Sequence, residues 1–415
     1  MAAALDRSPY RAQKQSVDLN LSPDEEAFRQ EIRAWFEHNL DPQWRESRLR
    51  SLPQDDAAAI CLQWQKKLGA AGLLGLAWPK EYGGRGATLM QQAIYMMEAH
   101  RADAPPTVDR AGLRLLGPVL MEIGTPEQKE RFLGPLIRGE VVWCQGFSET
   151  DAGSDLASLR TRATLEGDQY IINGHKVWSS NGHYAGWCML MARTNPTAPK
   201  HKGITMLAVD MTSPGVTVRP IRQMSGQSGG EHGFAEIFFD NVAVPRVNVI
   251  GGVDNGWQVG MKAITYERGL FTMLVQVKFE TVWEELRDFA RKTRRNGRLL
   301  IDDSIVREQL AQLYSDVRIM RLTNLRYITR YIRGMRPGEE SSFMKLHWTA
   351  TDQRPFDLAM ALGANKSLIM REAPGALYEG TWNSEYFYSR ASSIYGGTQD
   401  IQRNLIAERI YGLPR

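Results

Sequence analysis

The spacing of apolar residues changes twice along this chain, and that change limits the fold more than any other feature. From residue 20 to about 138 the spacing is helical. Ser22-Pro23-Asp24-Glu25 reads as a capping box with proline at the first helical position, and Phe28, Ile32, Trp35 and Phe36 follow at helical steps. Thr125-Pro126-Glu127-Gln128 repeats the start signal before Phe132 and Leu133. Between them, Pro79 and Gly83-Gly84 mark a loop, and a helix from about Leu89 carries Ile94, Met97 and Glu98. From Val141 to about Ile250 the period shortens. Thr161 to Leu165, Tyr170 to Ile172, Lys176 to Ser179, Cys188 to Ala192, Gly203 to Asp210, Val216 to Ile221 and Ala235 to Phe239 read as strands. Tight turns are expected at Gly167-Asp168 and at Asn173-Gly174. No helix of useful length separates these strands, which argues against parallel βαβ winding and for a small antiparallel β domain. From Trp257 the chain is helical again. Breaks near Asn296-Gly297, Met335-Arg336-Pro337-Gly338 and Pro374-Gly375 divide it into long segments, which predicts an antiparallel bundle. The fold class is α+β. A loose arm is expected over 1–19, an N-terminal helical domain over 20–138, a middle antiparallel β domain over 139–251 and a C-terminal helical bundle over 252–415.

Composition narrows the function. Lys and Arg number 51 against 47 Asp and Glu, a net charge of +4, and the densest basic stretch (Arg291, Lys292, Arg294, Arg295, Arg298) is short. No nucleic-acid partner is expected. The longest apolar run, Ala70 to Trp78, falls far below the ~20 residues that span a bilayer, so no membrane partner is expected either. Three scattered cysteines (Cys61, Cys144, Cys188) argue for a reducing compartment, and Met1 to Gln15 lacks the apolar core of a signal peptide. A cytoplasmic protein is expected. The seven histidines form no pair at metal-ligand spacing, so no metal site is expected.

Four segments carry candidate chemistry. Gln145-Gly146-Phe147-Ser148-Glu149-Thr150-Asp151-Ala152-Gly153-Ser154-Asp155 closes a strand with amides and hydroxyls able to face an anion or a heteroaromatic edge. An ordinary strand-to-loop turn reads the same way. Asn173-Gly174 to Asn181-Gly182 presents Trp178 flanked by Ser179 and Ser180, where a Trp buried in a β core is the plainer reading. On the helix after Trp257, Gly260, Ala263, Ile264, Glu267, Leu270, Phe271 and Leu274 share one face, and Glu267 sits inside that apolar stripe. Burial there would raise its pKa and suit it to general-base work; a structural ion pair is the alternative, for which adjacent Arg268 is poorly placed. Finally, Gly396-Gly397-Thr398 precedes an apolar helix, with Thr398 as its cap and backbone amides able to grip an oxyanion.

Together these segments resemble the acyl-CoA dehydrogenase family over nearly the whole chain. The resemblance rests on Gly83-Gly84-Arg85-Gly86 after Trp78-Pro79, the Ser148 to Asp155 run, Asn173-Gly174 to Trp178, and Gly397-Thr398 to Arg403. It implies a helical domain, a β domain and a C-terminal four-helix bundle, with FAD between the last two. Gln145, Phe147 and Ser148 would line the isoalloxazine, and Gly153 and Ser154 would approach the pyrophosphate or the CoA arm. Trp178, Ser179 and Ser180 would cover the flavin near N5, and Thr398 would sit by its phosphates. Many members place their catalytic Glu where this chain has Gly396; branches resembling isovaleryl-CoA dehydrogenase place it on the first long C-terminal helix, before an Arg, as Glu267-Arg268 stands here.

The resemblance therefore implies that Glu267 takes the α-proton of an acyl-CoA while the β-hydrogen leaves as hydride to flavin N5. The Gly396 N–H, which needs no side chain for the role, would bind the thioester oxygen of what becomes a trans-2-enoyl-CoA. Gly396 would also vacate room for a bulky acyl group. An electron-transfer flavoprotein is the implied acceptor, and a homodimer or homotetramer the implied assembly. Arg291 and Arg294 are both candidates to reach a neighbouring FAD, whereas Ala376 to Gly380 matches poorly the segment that makes this contact in many relatives. Two alternatives share the scaffold: a flavin oxidase or monooxygenase, and a partner subunit of a heteromeric dehydrogenase.

Overall fold

The computed structural model describes residues 21–49, 52–228, 233–267, 271–332, 340–371 and 373–414. The expected arm over 1–19 and the break at Met335 to Gly338 lie outside the described residues.

The N-terminal helices are α1 (Pro23–Asn39), α2 (Glu46–Leu49), α3 (Gln54–Ala70), α4 (Leu89–Arg101), α5 (Gly117–Ile123) and α6 (Pro126–Ile137). Both anticipated capping boxes form, at Ser22 with Glu25 and at Thr125 with Gln128, and Thr88 with Gln91 makes a third at α4. Eight strands then make one sheet: β1 (Trp143–Gly146), β2 (Arg162–Glu166), β3 (Gln169–Ser180), β4 (Trp187–Arg193), β5 (Ile204–Asp210), β6 (Val216–Pro220), β7 (Phe234–Pro245) and β8 (Val249–Ile250). The order is β6-β7-β3-β2-β4-β5-β8, antiparallel except where β1 lies parallel to β4 and β2 touches β4 at Arg162 and Arg193.

The hairpin at Gly167-Asp168 forms as expected, pairing Glu166 with Gln169. Asn173-Gly174 does not turn the chain. β3 runs straight through it with a register shift against β7, because Gly174 lies where a Cβ would come within 2.5 Å of the Thr161 hydroxyl. The glycine marks a close approach of two backbones, not a hairpin.

The C-terminal helices are α7 (Gly256–Glu267), α8 (Phe271–Lys292), α9 (Ser304–Ile332), α10 (Glu340–Gly363), α11 (Thr381–Ser389) and α12 (Gln399–Leu405). Between α8 and α9, Asn296-Gly297 turns a short hairpin of β9 (Arg294–Arg295) and β10 (Arg298–Leu299), both turn residues having positive φ. The long helices α8, α9 and α10 bury Phe279, Leu286, Leu313, Trp348 and Phe356 among themselves.

Helix α7 packs on the sheet instead. A Cβ at Gly256 would lie 2.5 Å from the Thr205 backbone and one at Gly260 3.0 Å from Met191 Sδ, so two glycines let α7 settle onto β4 and β5. On the same face Phe132 of α6 meets Trp143 and Trp187 edge-on, at 5.2 and 5.1 Å between centroids, while those two rings stack at 5.4 Å.

Asp109 ties the helical domain to the first strand. Its carboxylate accepts from Gly112 N–H at 2.7 Å and Trp143 N–H at 3.2 Å, and Oδ2 has no partner among the described residues. Burial, against the opposing pull of those two amides, pushes its pKa up to about 7. The folded state therefore holds a proton that the unfolded chain has released between its ordinary pKa and 7. Stability from this group falls as pH rises through that window, by up to about 1.4 kcal/mol per pH unit. Asp109→Asn, which cannot ionise, should lack that fall. Denaturant titrations of both proteins across pH 4.5 to 8 check it, and parallel curves would refute it.

Candidate active site

The end of β1 and the end of β3 form one wall. Gly146 permits β1 to lie close on β4, since a Cβ there would come 2.8 Å from Cys188 Sγ. Lys176, fully buried on β3, gives its ammonium to Phe147 O at 3.0 Å and to the Glu149 carboxylate at 2.7 Å. Glu149 also accepts from the backbone N–H of Arg160 at 2.6 Å and of Thr161 at 2.9 Å. Val177 N–H donates to Ser148 O at 3.0 Å. These bonds fix the Phe147-Ser148-Glu149 backbone against β3. Neither the N–H nor the hydroxyl of Ser148 is engaged by another described residue. Gln145 is half-buried and Phe147 buried, while Gly153 and Ser154 lie exposed on the loop beyond.

Trp178 occupies a bulge. The β3–β7 register shifts between Lys176 and Ser179, and Trp178 takes φ +62°, a conformation that L residues adopt at a cost of about 1–3 kcal/mol. The bulge turns the indole outward, 56% exposed, and Ser179 inward, where its buried Oγ has no partner among the described residues. Ser180 is exposed. Asn181 follows at φ +54° and anchors the turn through Nδ2 to Val108 O at 2.9 Å.

The second wall is the turn before α12. Gly396 and Gly397 have φ of +65° and +89°, and Thr398 caps α12 by accepting from Ile401 N–H at 3.2 Å. Gln402 Nε2 donates back to Gly396 O at 3.3 Å. Aromatic rings join the two walls. Trp178 meets Phe234 edge-on at 5.8 Å, Phe234 stacks with Tyr388 at 6.4 Å, and Tyr388 lies 6.0 Å from Tyr395, the neighbour of Gly396. The structure thus brings Gln145, Phe147, Ser148, Trp178, Ser179 and Ser180 together on one side and Gly396 and Thr398 on the other.

Glu267 is the last residue of α7. Its side chain, with Arg268 to Leu270, lies outside the described residues. The helix that carries it is clamped just beforehand: Glu122 of α5 pairs with Lys262 and accepts from the Tyr266 hydroxyl at 2.6 Å. These two partners hold the Glu122 carboxyl below its ordinary range, while burial and Glu122 push the Tyr266 phenol up to about 12. Arg291 and Arg294 are both exposed, and Arg294 turns back onto Gly297 O at 2.9 Å.

An isoalloxazine needs donors and acceptors for its polar edge and a flat apolar cover. The unengaged N–H and hydroxyl of Ser148, the exposed Ser180 and the outward indole of Trp178 supply these, so the residues present fit FAD. Ser179, expected to cover the flavin, is instead turned inward by the bulge and fully buried. Gly153 leaves open space, with no described residue within 4 Å of an added Cβ.

Sequence reading missed Lys176, Phe234, Tyr388 and Lys345. Lys176, heading the expected strand Lys176 to Ser179, was the one local sign among them.

Family models match the described fold in register with its three parts: "Acyl-CoA dehydrogenase, N-terminal domain" over residues 22–140, "middle domain" over 144–242 and "C-terminal domain" over 254–411. The chain is 38% identical to acyl-CoA dehydrogenase IpdE1 of Mycobacterium tuberculosis, over 94% of this chain and 98% of that protein. Among solved structures, the Tcur3481-Tcur3483 steroid ACAD superposes with a TM-score of 0.84 at 30% identity, covering 96% of this chain and 100% of that one. The ChsE4-ChsE5 complex from Mycobacterium tuberculosis superposes with a TM-score of 0.83 at 30% identity and the same coverage.

Proposed function

The chain belongs to the acyl-CoA dehydrogenase family, whose members depend on FAD, and on that premise we propose that it desaturates a bulky, ring-bearing acyl-CoA to the trans-2-enoyl-CoA. One observation carries the substrate class. Position 396 has no side chain, and among the described residues an added Cβ there would meet only Lys345 Nζ, at 3.7 Å, within 4 Å. The adjoining wall is aromatic, through Tyr395, Tyr388, Phe234 and Trp178. A flat or fused ring system fits such a surface better than a flexible straight chain. The relative described as a steroid ACAD supports the same class.

Glu267 removes the α-proton, since Gly396 cannot, and the Gly396 N–H binds the thioester oxygen. Bound FAD supplies the acceptor for the β-hydrogen and its electron pair. Ser148 orients the flavin edge, Trp178 covers it, Gly153 and Ser154 lie along the phosphate path, and Thr398 holds the start of α12 beside it. An electron-transfer flavoprotein then takes the electrons. Ile319 and Leu322 on α9 and Phe343 on α10 are large exposed apolar side chains, which supports burial against a second subunit. A copy of this chain is the assembly proposed. A related second chain is the other reading, favoured by the neighbours that are two-chain complexes.

Anaerobic titration of the yellow protein with straight, branched, aromatic and ring-bearing acyl-CoAs tests the reaction. Bleaching by the ring-bearing class with formation of enoyl product is expected. Rapid reoxidation in air without enoyl product would make it an oxidase. A colourless protein that gains flavin only with a second chain would make it a heteromer.

Gly396→Glu tests the steric argument. The positive φ strains any side chain there whatever the substrate, so the ratio between substrate classes is the readout. Overpacking by about 1–3 kcal/mol should lower activity on ring-bearing thioesters about 10- to 100-fold relative to straight ones. An unchanged ratio refutes the idea that Gly396 makes room.

A further inference from the structure

Lys345 of α10 is a buried lysine to which the reaction above assigns no task. Its ammonium donates to Ser392 O at 2.7 Å and lies 4.1 Å from the centroid of Trp348 and 4.6 Å from that of Tyr395. Ser392 and Tyr395 belong to the turn that ends in Gly396, and the same ammonium lies 3.7 Å from an ideal Cβ on Gly396. On the far side Gln402 Nε2 holds Gly396 O at 3.3 Å. The turn is therefore gripped before Gly396 by a cation and after it by an amide. Gly396 and Gly397 both have left-handed φ, where glycine has wide backbone freedom, so the direction of the Gly396 N–H depends on those grips.

We propose that Lys345 is a positioning residue for this reaction: it fixes the Ser392–Gly396 turn so that the Gly396 N–H meets the thioester oxygen, and its charge favours the enolate that forms there. The proposal rests on the reading of Gly396 as the oxygen-binding amide. The chemistry follows from where charge develops. When the α-proton leaves, negative charge moves onto the thioester oxygen, and a fixed donor with a cation close behind it stabilises that charge without rearrangement. The two aromatic faces and the carbonyl hold the ammonium in place with little water near it.

Acetoacetyl-CoA is a suitable probe, because its acidic α-carbon ionises without a catalytic base and its bound enolate gives a long-wavelength charge-transfer band with oxidised flavin. The pH at which that band appears reports enolate stabilisation independently of turnover. In the flavin-loaded protein, Lys345→Met and Lys345→Gln should each shift that midpoint upward by about one pH unit, a tenfold loss of enolate stabilisation. Lys345→Arg, which keeps the charge, should recover most of the shift. Either neutral variant that folds and retains flavin is sufficient. A wild-type band whose midpoint stays within about 0.3 pH unit in the neutral variants overturns the role of Lys345 alone. Absence of the band in wild type and Glu267→Gln alike would instead strike the acyl-CoA reading of the site.

Discussion

Glu267→Gln is expected to leave the protein yellow and able to bind acyl-CoA, yet to slow flavin bleaching by about 10³-fold or more. Glutamine keeps the size and shape of glutamate and cannot accept a proton, so the substitution removes one function. A positioned general base contributes about 10²–10⁴-fold, and the weak acidity of a thioester α-hydrogen puts this reaction at the upper end. Two described carboxylates of these walls and helices are already engaged. Glu122, one helix away, is held by Lys262 and Tyr266, and Glu149 is committed to Lys176 and two backbone amides. At position 396, where many relatives carry the base, this chain has no side chain to offer. Stopped-flow reduction with the best thioester measures the effect, and a variant within tenfold of wild type would send the search for the base elsewhere. The substrate-binding constant should change little, because the carboxylate acts on the α-proton and not on the CoA arm.

What was readable in the sequence was local. Capping boxes at Ser22 and Thr125, the Gly167-Asp168 hairpin and the Thr398 cap all depend on contacts within a few residues, and each forms. Asn173-Gly174 shows the limit of such signals. The pair has the chemistry of a tight turn, but Thr161, the residue before β2, needs a glycine there, and a packing requirement outweighed a local preference. The site shows the same limit more sharply. Along β3 a lysine is buried and a tryptophan exposed, the reverse of what those residue types favour. The inversion comes from a bulge and from an ion pair to Glu149, 27 residues away. Lys345 reaches its carbonyl across 47 residues. Alternation and spacing carry no trace of such pairings. The positions proposed to face the flavin could be named because they form contiguous runs, whereas the supports beneath them do not.

Those supports make the second large prediction. Lys176→Met should lower stability at pH 7 by about 3–5 kcal/mol, the cost of leaving a buried charge without its partner, and should release FAD as the Phe147-Ser148-Glu149 backbone loses its anchor. The pair combines opposed effects. Burial draws the Lys176 pKa down to about 8 although Glu149 pulls it upward. Burial likewise opposes ionisation of Glu149, but Lys176, Thr161 and the Arg160 amide outweigh it and hold the carboxyl below its ordinary range. The pair is thus ionised at neutral pH, and Lys176→Met leaves an acid whose remaining donors cannot match the lost ammonium.

The double variant Glu149→Gln/Lys176→Met, which removes both charges, should recover much of the loss, so the two changes will not add. The pH dependence follows from the direction of the lysine shift. Between about 8 and the ordinary lysine value the unfolded chain holds a proton that the folded one has released. Stability from this residue therefore rises with pH over that window. Lys176→Met should lack the rise. Denaturant unfolding from pH 7 to 10 reads both effects. Additive losses in the double variant, or a single variant that keeps its flavin at wild-type affinity, would show that the loop is held by something other than this pair.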